Sequence, residues 1–266
     1  GFVTGGASGI GLGVARALGQ RGMTVVLADI EPAILDEATS ALRDEGIAAH
    51  AEVLDVADAE AYAAVARRTL DTHGTVNFLF NNAGVAAPSP MVGGRLEDWR
   101  WTLDVNVMGV VHGIHCFLPT MLASGQRGWV INTASLAGHS GNPGMGSYCA
   151  SKFAVVGYSE VLRAELAHTP IDVAVLCPAW VRTRIAEALR NHPDPSLADR
   201  SDENLDTISR VIAEEGISVE ALAERVLRGM DERTFYLFTH ADFWPLVEER
   251  LGRIREDYGT VLPKAS

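Results

Sequence analysis

Thr4-Gly5-Gly6-Ala7-Ser8-Gly9-Ile10-Gly11 follows a short apolar run, Phe2-Val3, and leads into a stretch with helical periodicity. Strand, glycine turn and helix in that order present free backbone N–H groups and the positive end of a helix dipole to a phosphate. Gly5 suits a tight turn, Gly9 permits close approach of backbone to a pyrophosphate, and Gly11 permits close packing of the helix on the sheet. The spacing is G-x-x-x-G-x-G rather than the commoner G-x-G-x-x-G. Glycine clusters also occur in plain turns, so the reading depends on what surrounds this one.

Working outward, a helix is expected from Ser8, as N-cap, to Gln20, with Ile10, Val14, Ala17 and Leu18 on its apolar face. Thr24 to Ala28 is a continuous apolar run, the pattern of a parallel strand buried on both faces, and it ends at Asp29. An acidic residue there lies where the ribose hydroxyls of an adenosine would sit; a carboxylate accepts hydrogen bonds from a 2′,3′-diol and repels a 2′-phosphate. No Lys or Arg immediately follows Asp29 or sits between Gly5 and Gly11, so the residues read as NAD over NADP.

Strand and helix then alternate. A helix from Pro32 to about Glu45 precedes a strand over 47–54, closing on Asp55-Val56. A helix from Asp58 to His73 precedes a strand over Val76–Phe80, which runs into Asn81-Asn82-Ala83-Gly84. Residues 96–124 read as one or two helices, with Asn106 inside an apolar segment; a buried Asn must be hydrogen-bonded. His112 and His115 share a helix face, but no Glu accompanies them and no metal site is expected. Trp129–Thr133 is a strand ending near Ser135, and a helix from Ser147 to about Ala167 carries Tyr148 and Lys152 on one face. A lysine ammonium near a phenol favours the phenolate and is expected to lower its pKa. After a strand over Ile171–Cys177, residues 184–216 form a polar insertion, read as a lid or substrate loop rather than a plain surface excursion. A helix over Val219–Met230, a strand over Phe235–Phe238 and an amphipathic helix over 242–257 complete the chain. The alternation predicts βαβ units and a doubly wound parallel sheet of about seven strands with helices on both faces.

Composition bounds the rest. The 266 residues suit one α/β domain spanning 1–266, with the substrate-loop insertion at about 180–217, and 47% hydrophobic content suffices for its core. A net charge of −12 argues against nucleic acid or an anionic membrane as partner. Cys116, Cys149 and Cys177 are odd in number and far apart, which suggests neither disulfides nor zinc and makes a reducing cytoplasm the expected location. No uninterrupted apolar run of membrane-spanning length and no signal peptide is read from the sequence.

Taken together, Thr4 to Gly11, Asn81 to Gly84, Asn106, Ser135 and Tyr148-x-x-x-Lys152 resemble the short-chain dehydrogenase/reductase family. The likeness covers nearly the whole chain and is strongest over 1–183. It implies a Rossmann-type fold and an oxidoreductase that moves a hydride between a nicotinamide and a carbinol or carbonyl carbon. By resemblance, Tyr148 is the general acid/base, Lys152 bonds the nicotinamide ribose and depresses the tyrosine pKa, and Ser135 bonds the substrate oxygen. Asn106 holds a water in a proton relay through Lys152. Asp55 and Val56 contact the adenine, and Asn82, Ala83 and Gly84 lie along the cofactor cleft. Ser8 and Ile10 join the glycines at the phosphates, and Pro178, Val181 and Thr183 match the nicotinamide side. The family usually has Pro-Gly where this chain has Pro178-Ala179-Trp180; Ala179 narrows the backbone's options, and Trp180 is expected to wall the substrate pocket.

Arg182 to Glu187, the long loop and the tail from Phe235 to Tyr258 are similar to a subgroup acting on bulky aromatic alcohols, such as the Cα-dehydrogenases of lignin-derived aryl ethers; hydroxysteroid-type and terpene alcohols stay open. Relatives are commonly tetramers or dimers through the helices at about 105–124 and 147–167, so a homotetramer or homodimer is expected. Two alternatives remain: an NADP-dependent carbonyl reductase, and a non-catalytic NAD(H)-binding module, which would leave the serine, tyrosine and lysine unexplained.

Overall fold

The strands are short apolar segments, most of them closed at the carboxyl end by a polar residue. The computed structural model describes residues 1–197 and 203–261. Its strands are Phe2–Thr4 (β1), Val25–Asp29 (β2), Ala49–Val53 (β3), Phe78–Asn81 (β4), Gly128–Thr133 (β5), Ile171–Cys177 (β6) and Tyr236–Phe238 (β7). All pair in parallel, in the order β3-β2-β1-β4-β5-β6-β7. The connections run outward in one direction from β1 to β3 and in the other from β4 to β7, so the sheet has its switch point between β1 and β4, and a ligand cleft is expected beyond the carboxyl ends there.

The helices are Gly9–Gln20 (α1), Pro32–Asp44 (α2), Ala59–His73 (α3), Leu96–Leu103 (α4), Gly109–Ser124 (α5), Gly146–Glu165 (α6), Glu203–Glu215 (α7), Val219–Asp231 (α8) and Trp244–Gly259 (α9). Strand periodicity sorts the core into two layers. Val3, Phe78 and Phe80 pack with Val14, Leu18, Leu35, Leu42 and Val226 from α1, α2 and α8. Phe2 and Leu79 point the other way, onto Tyr62, Val110, Phe117 and Val155 from α3, α5 and α6.

Residues 96–124 resolve into α4, a π-helical turn over Asp104–Met108, and α5. The turn carries Asn106, and such turns inside α-helices are frequent at functional sites. By length and composition alone this rod is long and apolar enough to cross a membrane, though its apolar run is interrupted. Scattered Asn and His residues hide its apolarity from a search for an unbroken run. Its Val110, Ile114, Phe117 and Met121 are buried in the core. His112 Nδ1 lies 2.9 Å from the Val56 carbonyl oxygen, while His115 is exposed.

The insertion is closed at its base by a bridge, with Arg182 N–H donating to Ile217 O and Ile217 N–H to Trp180 O, each at 3.0 Å. Between these points lie short 3-10 turns over Ile185–Asn191 and Pro195–Leu197, then α7. Residues 198–202 of the expected loop lie outside the described residues.

Phe117 is fully buried, with its ring centroid 4.5 Å from that of Phe2 and 6.4 Å from that of Tyr62. Phe117→Ala is expected to lower the unfolding free energy by about 3–5 kcal/mol, read from urea denaturation.

Candidate active site

A cleft of about 740 Å³ opens beyond the carboxyl ends of the strands, at the switch point. Gly5 (φ 61°) and Gly9 (φ 51°) shape its floor in a conformation that side-chain-bearing residues rarely adopt. Ser8 occupies the N-cap position of α1, but its hydroxyl makes no capping bond, contrary to expectation. Its backbone is extended, and it leaves the first-turn N–H groups of α1 without a side-chain cap, the arrangement that suits an anion. Gly11 does not line the cleft; a Cβ there would collide with the Gly5 carbonyl oxygen, so its role is to let the turn close. As expected of Gly11, the start of α1 lies close against the strand ends, since a Cβ there would also meet Asn82 Nδ2 after β4; Gly13 lets α1 approach α8, where a Cβ would collide with Val219.

At the end of β2, Asp29 Oδ2 accepts from Ala7 N–H (3.0 Å) and Oδ1 from Glu31 N–H (3.2 Å). Burial pushes its pKa up, partly offset by those two bonds. Ile10, Asp55 and Val56 line the same end of the cleft. Asn82, Ala83 and Gly84 lie along its middle, and Pro178, Val181 and Thr183 lie on the opposite wall. Asn82 also braces the site: its amide donates to Thr4 O (3.1 Å), its Oδ1 accepts from Thr133 Oγ1 (3.2 Å), and its own N–H donates to Thr4 Oγ1 (2.9 Å). It thereby ties the ends of β1, β4 and β5 together.

Tyr148 and Lys152 project from the first turns of α6 into the cleft, with Ser135 facing them from the end of β5. Lys152 is buried; its Nζ donates to Thr133 O (3.0 Å) and lies 5.6 Å from the Tyr148 ring centroid. Burial lowers its pKa to about 8. The expected lowering of the phenol pKa does not hold in this structure. Burial raises Tyr148 above the usual phenol value, and the Ser135 hydroxyl bond only partly counters it. The ammonium is aimed at a carbonyl rather than at the phenol oxygen, and a lone buried phenol holds its proton.

Asn106 does not line the cleft. Its Oδ1 accepts from Val85 N–H (2.8 Å), and Nδ2 donates to Val85 O (2.9 Å) and Ser151 Oγ (3.0 Å). Both amide hydrogens are committed, so the side chain braces the Val85 backbone against Ser151. Ser151 Oγ in turn donates to Tyr148 O (2.7 Å), so the brace reaches the backbone of the tyrosine.

Sequence reading missed several supporting groups. Asn81 Nδ2 donates to Asn132 Oδ1 (2.8 Å) and Asn132 Nδ2 to Ser159 Oγ (3.0 Å), a buried chain pinning α6 to β4 and β5. Ser89 Oγ and Ser147 Oγ lie 2.7 Å apart at the start of α6. Asn132 within an apolar strand was the available signal. The insertion supplies Leu205, Ile208 and Ile212 to the cleft, at helical spacing that its polar composition conceals.

An open parallel α/β sheet with a glycine turn at its switch point, and a tyrosine, lysine and serine converging beside it, defines a nicotinamide-dinucleotide oxidoreductase acting on CH–OH groups. The short chain dehydrogenase family model matches residues 2–194, and the chain belongs to that family. The C alpha-dehydrogenase of Sphingobium sp. (strain NBRC 103272 / SYK-6) is 35% identical over 244 residues, 91% of this chain and 80% of that protein. A short chain dehydrogenase/reductase from Burkholderia phymatum, crystallised in complex with NAD, matches with a TM-score of 0.92 at 33% identity, covering 100% of this chain and 97% of that one. A short-chain dehydrogenase from Sphingobium yanoikuyae, in complex with NADPH, matches with a TM-score of 0.77 at 27% identity, covering 100% and 96%.

In the free protein, Tyr148 is expected to ionise above the ordinary phenol value, and Ser135→Ala to push it higher still by removing a bond that favours the phenolate. Alkaline difference spectra against Tyr148→Phe read both. Between the two values the unfolded chain gives up this proton while the folded chain keeps it, so stability attributable to Tyr148 falls as pH rises through that window.

Proposed function

We propose that the chain is an NAD-dependent dehydrogenase interconverting a secondary alcohol and a ketone, on a bulky apolar or aromatic substrate. The observation that carries the cofactor choice is Asp29, fixed by two backbone N–H groups in the cleft and followed by Ile30 and Glu31 rather than by a base. The residues present fit a dinucleotide: positive-φ glycines, the uncapped start of α1, and an acidic group at the end of β2. The bound dinucleotide supplies the hydride acceptor at its nicotinamide ring.

For oxidation, Ser135 Oγ donates to the substrate oxygen and orients it. Tyr148, as the phenolate left once its own proton has passed to solvent, takes the hydroxyl proton while the carbinol carbon gives up its hydrogen with the bonding pair as hydride, so the substrate becomes a ketone and Tyr148 a neutral phenol. Lys152 holds positive charge beside the phenol and stabilises its ionised form once the ammonium turns from Thr133 O. Reduction reverses each step. Val85, Trp101, Met145, Trp180, Ile208 and Ile212 give the cleft apolar walls, which supports a bulky apolar substrate and agrees in kind with the name of the C alpha-dehydrogenase relative.

The NADP reading has one observation in its favour, since Arg184 and Arg190 line the cleft. Both guanidinium groups are engaged: Arg184 Nε donates to Glu187 (2.7 Å), and Arg190 Nη2 to Glu31 (2.6 Å). Met108 in the π-helical turn, Leu122 on α5 and Val161 on α6 are exposed, which supports a homo-oligomer through this part of the surface; light scattering on the purified protein tests it.

Turnover followed at the reduced-nicotinamide absorbance, with NAD or NADP and a panel of aromatic, steroid and terpene alcohols, tests class and cofactor together. Turnover only with NADP overturns the NAD reading. Tyr148→Phe is expected to cost about 10²–10⁴ in kcat. Asp29→Ala is expected to weaken NAD binding by about ten- to a hundredfold and to relax discrimination against NADP, read by titration.

A further inference from the structure

The segment after β6 crosses the carboxyl edge of the sheet. Thr183 stands over the glycine turn: a Cβ on Gly9 would lie 3.0 Å from Thr183 Cγ2. Arg190 then reaches Glu31, Nη2 donating to Oε1 at 2.6 Å and Nε at 3.1 Å, and Asn191 Nδ2 donates to the same oxygen at 3.1 Å. Glu31 follows β2, which lies four places from β6 in the sheet. At ~4.8 Å per strand the segment spans about 19 Å. Residues 183–191 therefore form a strap over the glycine turn, fastened at the corner where Asp29 lies.

The strap has a second anchor of different character. His192 Nε2 lies 3.4 Å from Asp98 Oδ1 on α4, and both side chains are buried, 2% and 1% exposed. Asp194 N–H donates to His192 Nδ1 (3.0 Å), so the neutral ring carries its proton on the nitrogen facing Asp98. The imidazole also meets the Trp101 ring edge-on at 4.7 Å. Arg190 and Glu31, by contrast, are 26% and 23% exposed. One anchor is sealed in the core and the other borders solvent.

We propose that Glu31, Arg190 and Asn191 form a releasable latch that retains the dinucleotide, and that cofactor exchange requires this latch to open while the His192 anchor stays closed. A dinucleotide with its phosphates on the glycine turn and its adenosine at Asp29 would lie beneath the strap. Glu31 and Arg190 are positioning residues, acting on the cofactor through the strap. The chemistry suits the task. Arg190 Nη1 also donates to Glu187 O (3.0 Å) on its own turn, so the guanidinium is preorganised and loses little freedom on meeting Glu31. A charge-assisted, two-point contact at a half-buried site is stronger than an exposed ion pair, yet borders water and can exchange. Burial disfavours the Glu31 charge, but the bonds from Arg190 and Asn191 outweigh it, and its pKa moves down. Glu31 makes no capping bond to α2, so its removal leaves that helix intact.

The test is the rate of NADH release, by stopped-flow displacement from the loaded protein with excess NAD. Glu31→Ala and Arg190→Met are each expected to speed release by about tenfold, with the unfolding midpoint of the free protein unchanged. The reversed pair, Glu31→Arg with Arg190→Glu, is expected to return the rate to within about threefold of the parent. Unchanged release in both single variants overturns the latch, as does faster release that tracks a lowered unfolding midpoint. The probe rests on the NAD reading, and the two fail separately. A parent protein that binds NADPH but not NADH overturns the NAD reading, and NADPH release from the same variants then decides the latch by the same outcomes.

Discussion

The carbonyl oxygen of Gly5 occupies the place where a side chain on residue 11 would begin. That single contact, backbone against backbone with no Cβ between, lets β1 turn directly into α1 at the sheet's switch point. Much of the site depends on it. With the turn closed, Ala7 N–H meets Asp29 and Asn82 reaches Thr4 O, so the ends of β1, β2 and β4 are held in one register. A larger residue 11 would open the turn and move these partners together, because a packed core gives little room for one to shift alone.

The groups proposed to react sit on the other half of the sheet, and their placement is a matter of buried polar bonds. α6 carries Tyr148 and Lys152, and it is fixed from below by Asn132 and Ser159 and from the side by Asn106 through Ser151. Each of these bonds is made in the interior, where leaving one partner unpaired costs about 1–3 kcal/mol. Such groups resist small displacements more firmly than apolar contacts do, because hydrogen bonds are directional. The tyrosine is therefore held in place by a buried set of polar neighbours.

Most of this framework was legible in the sequence because it is local. Apolar runs ending in Asp29, Asn81 and Thr133 mark strand ends, and Tyr148 and Lys152 share a helix face at a spacing any α-helix imposes. The strand over 47–54 shrank to Ala49–Val53, since at the sheet edge only one neighbour fixes the pairing. What sequence could not give are contacts made by topology. Glu31 and Arg190 are 159 positions apart, and nothing near either names the other. The partners of Gly11 and Asn106 were out of reach for the same reason: Gly5 O, and Val85 with Ser151, are known only once the chain has turned back on itself. The insertion read as polar because most of its surface is; that Leu205, Ile208 and Ile212 share the face turned to the cleft depends on which side of α7 meets the body.

The phenol of Tyr148 shows how a spacing rule can be right about position and wrong about energy. Four residues along a helix bring lysine and tyrosine to one face, and the structure places them so. The sign of the pKa shift, however, is set by where the ammonium points and by how much water each group keeps. Here the ammonium donates to Thr133 O, and burial penalises charge on both groups at once: it lowers the lysine to about 8 and raises the tyrosine. Each would gain from the other's ionisation, because opposite charges at close range in a dry site attract strongly. A group that drew the Lys152 ammonium from its carbonyl toward the phenol would favour the phenolate.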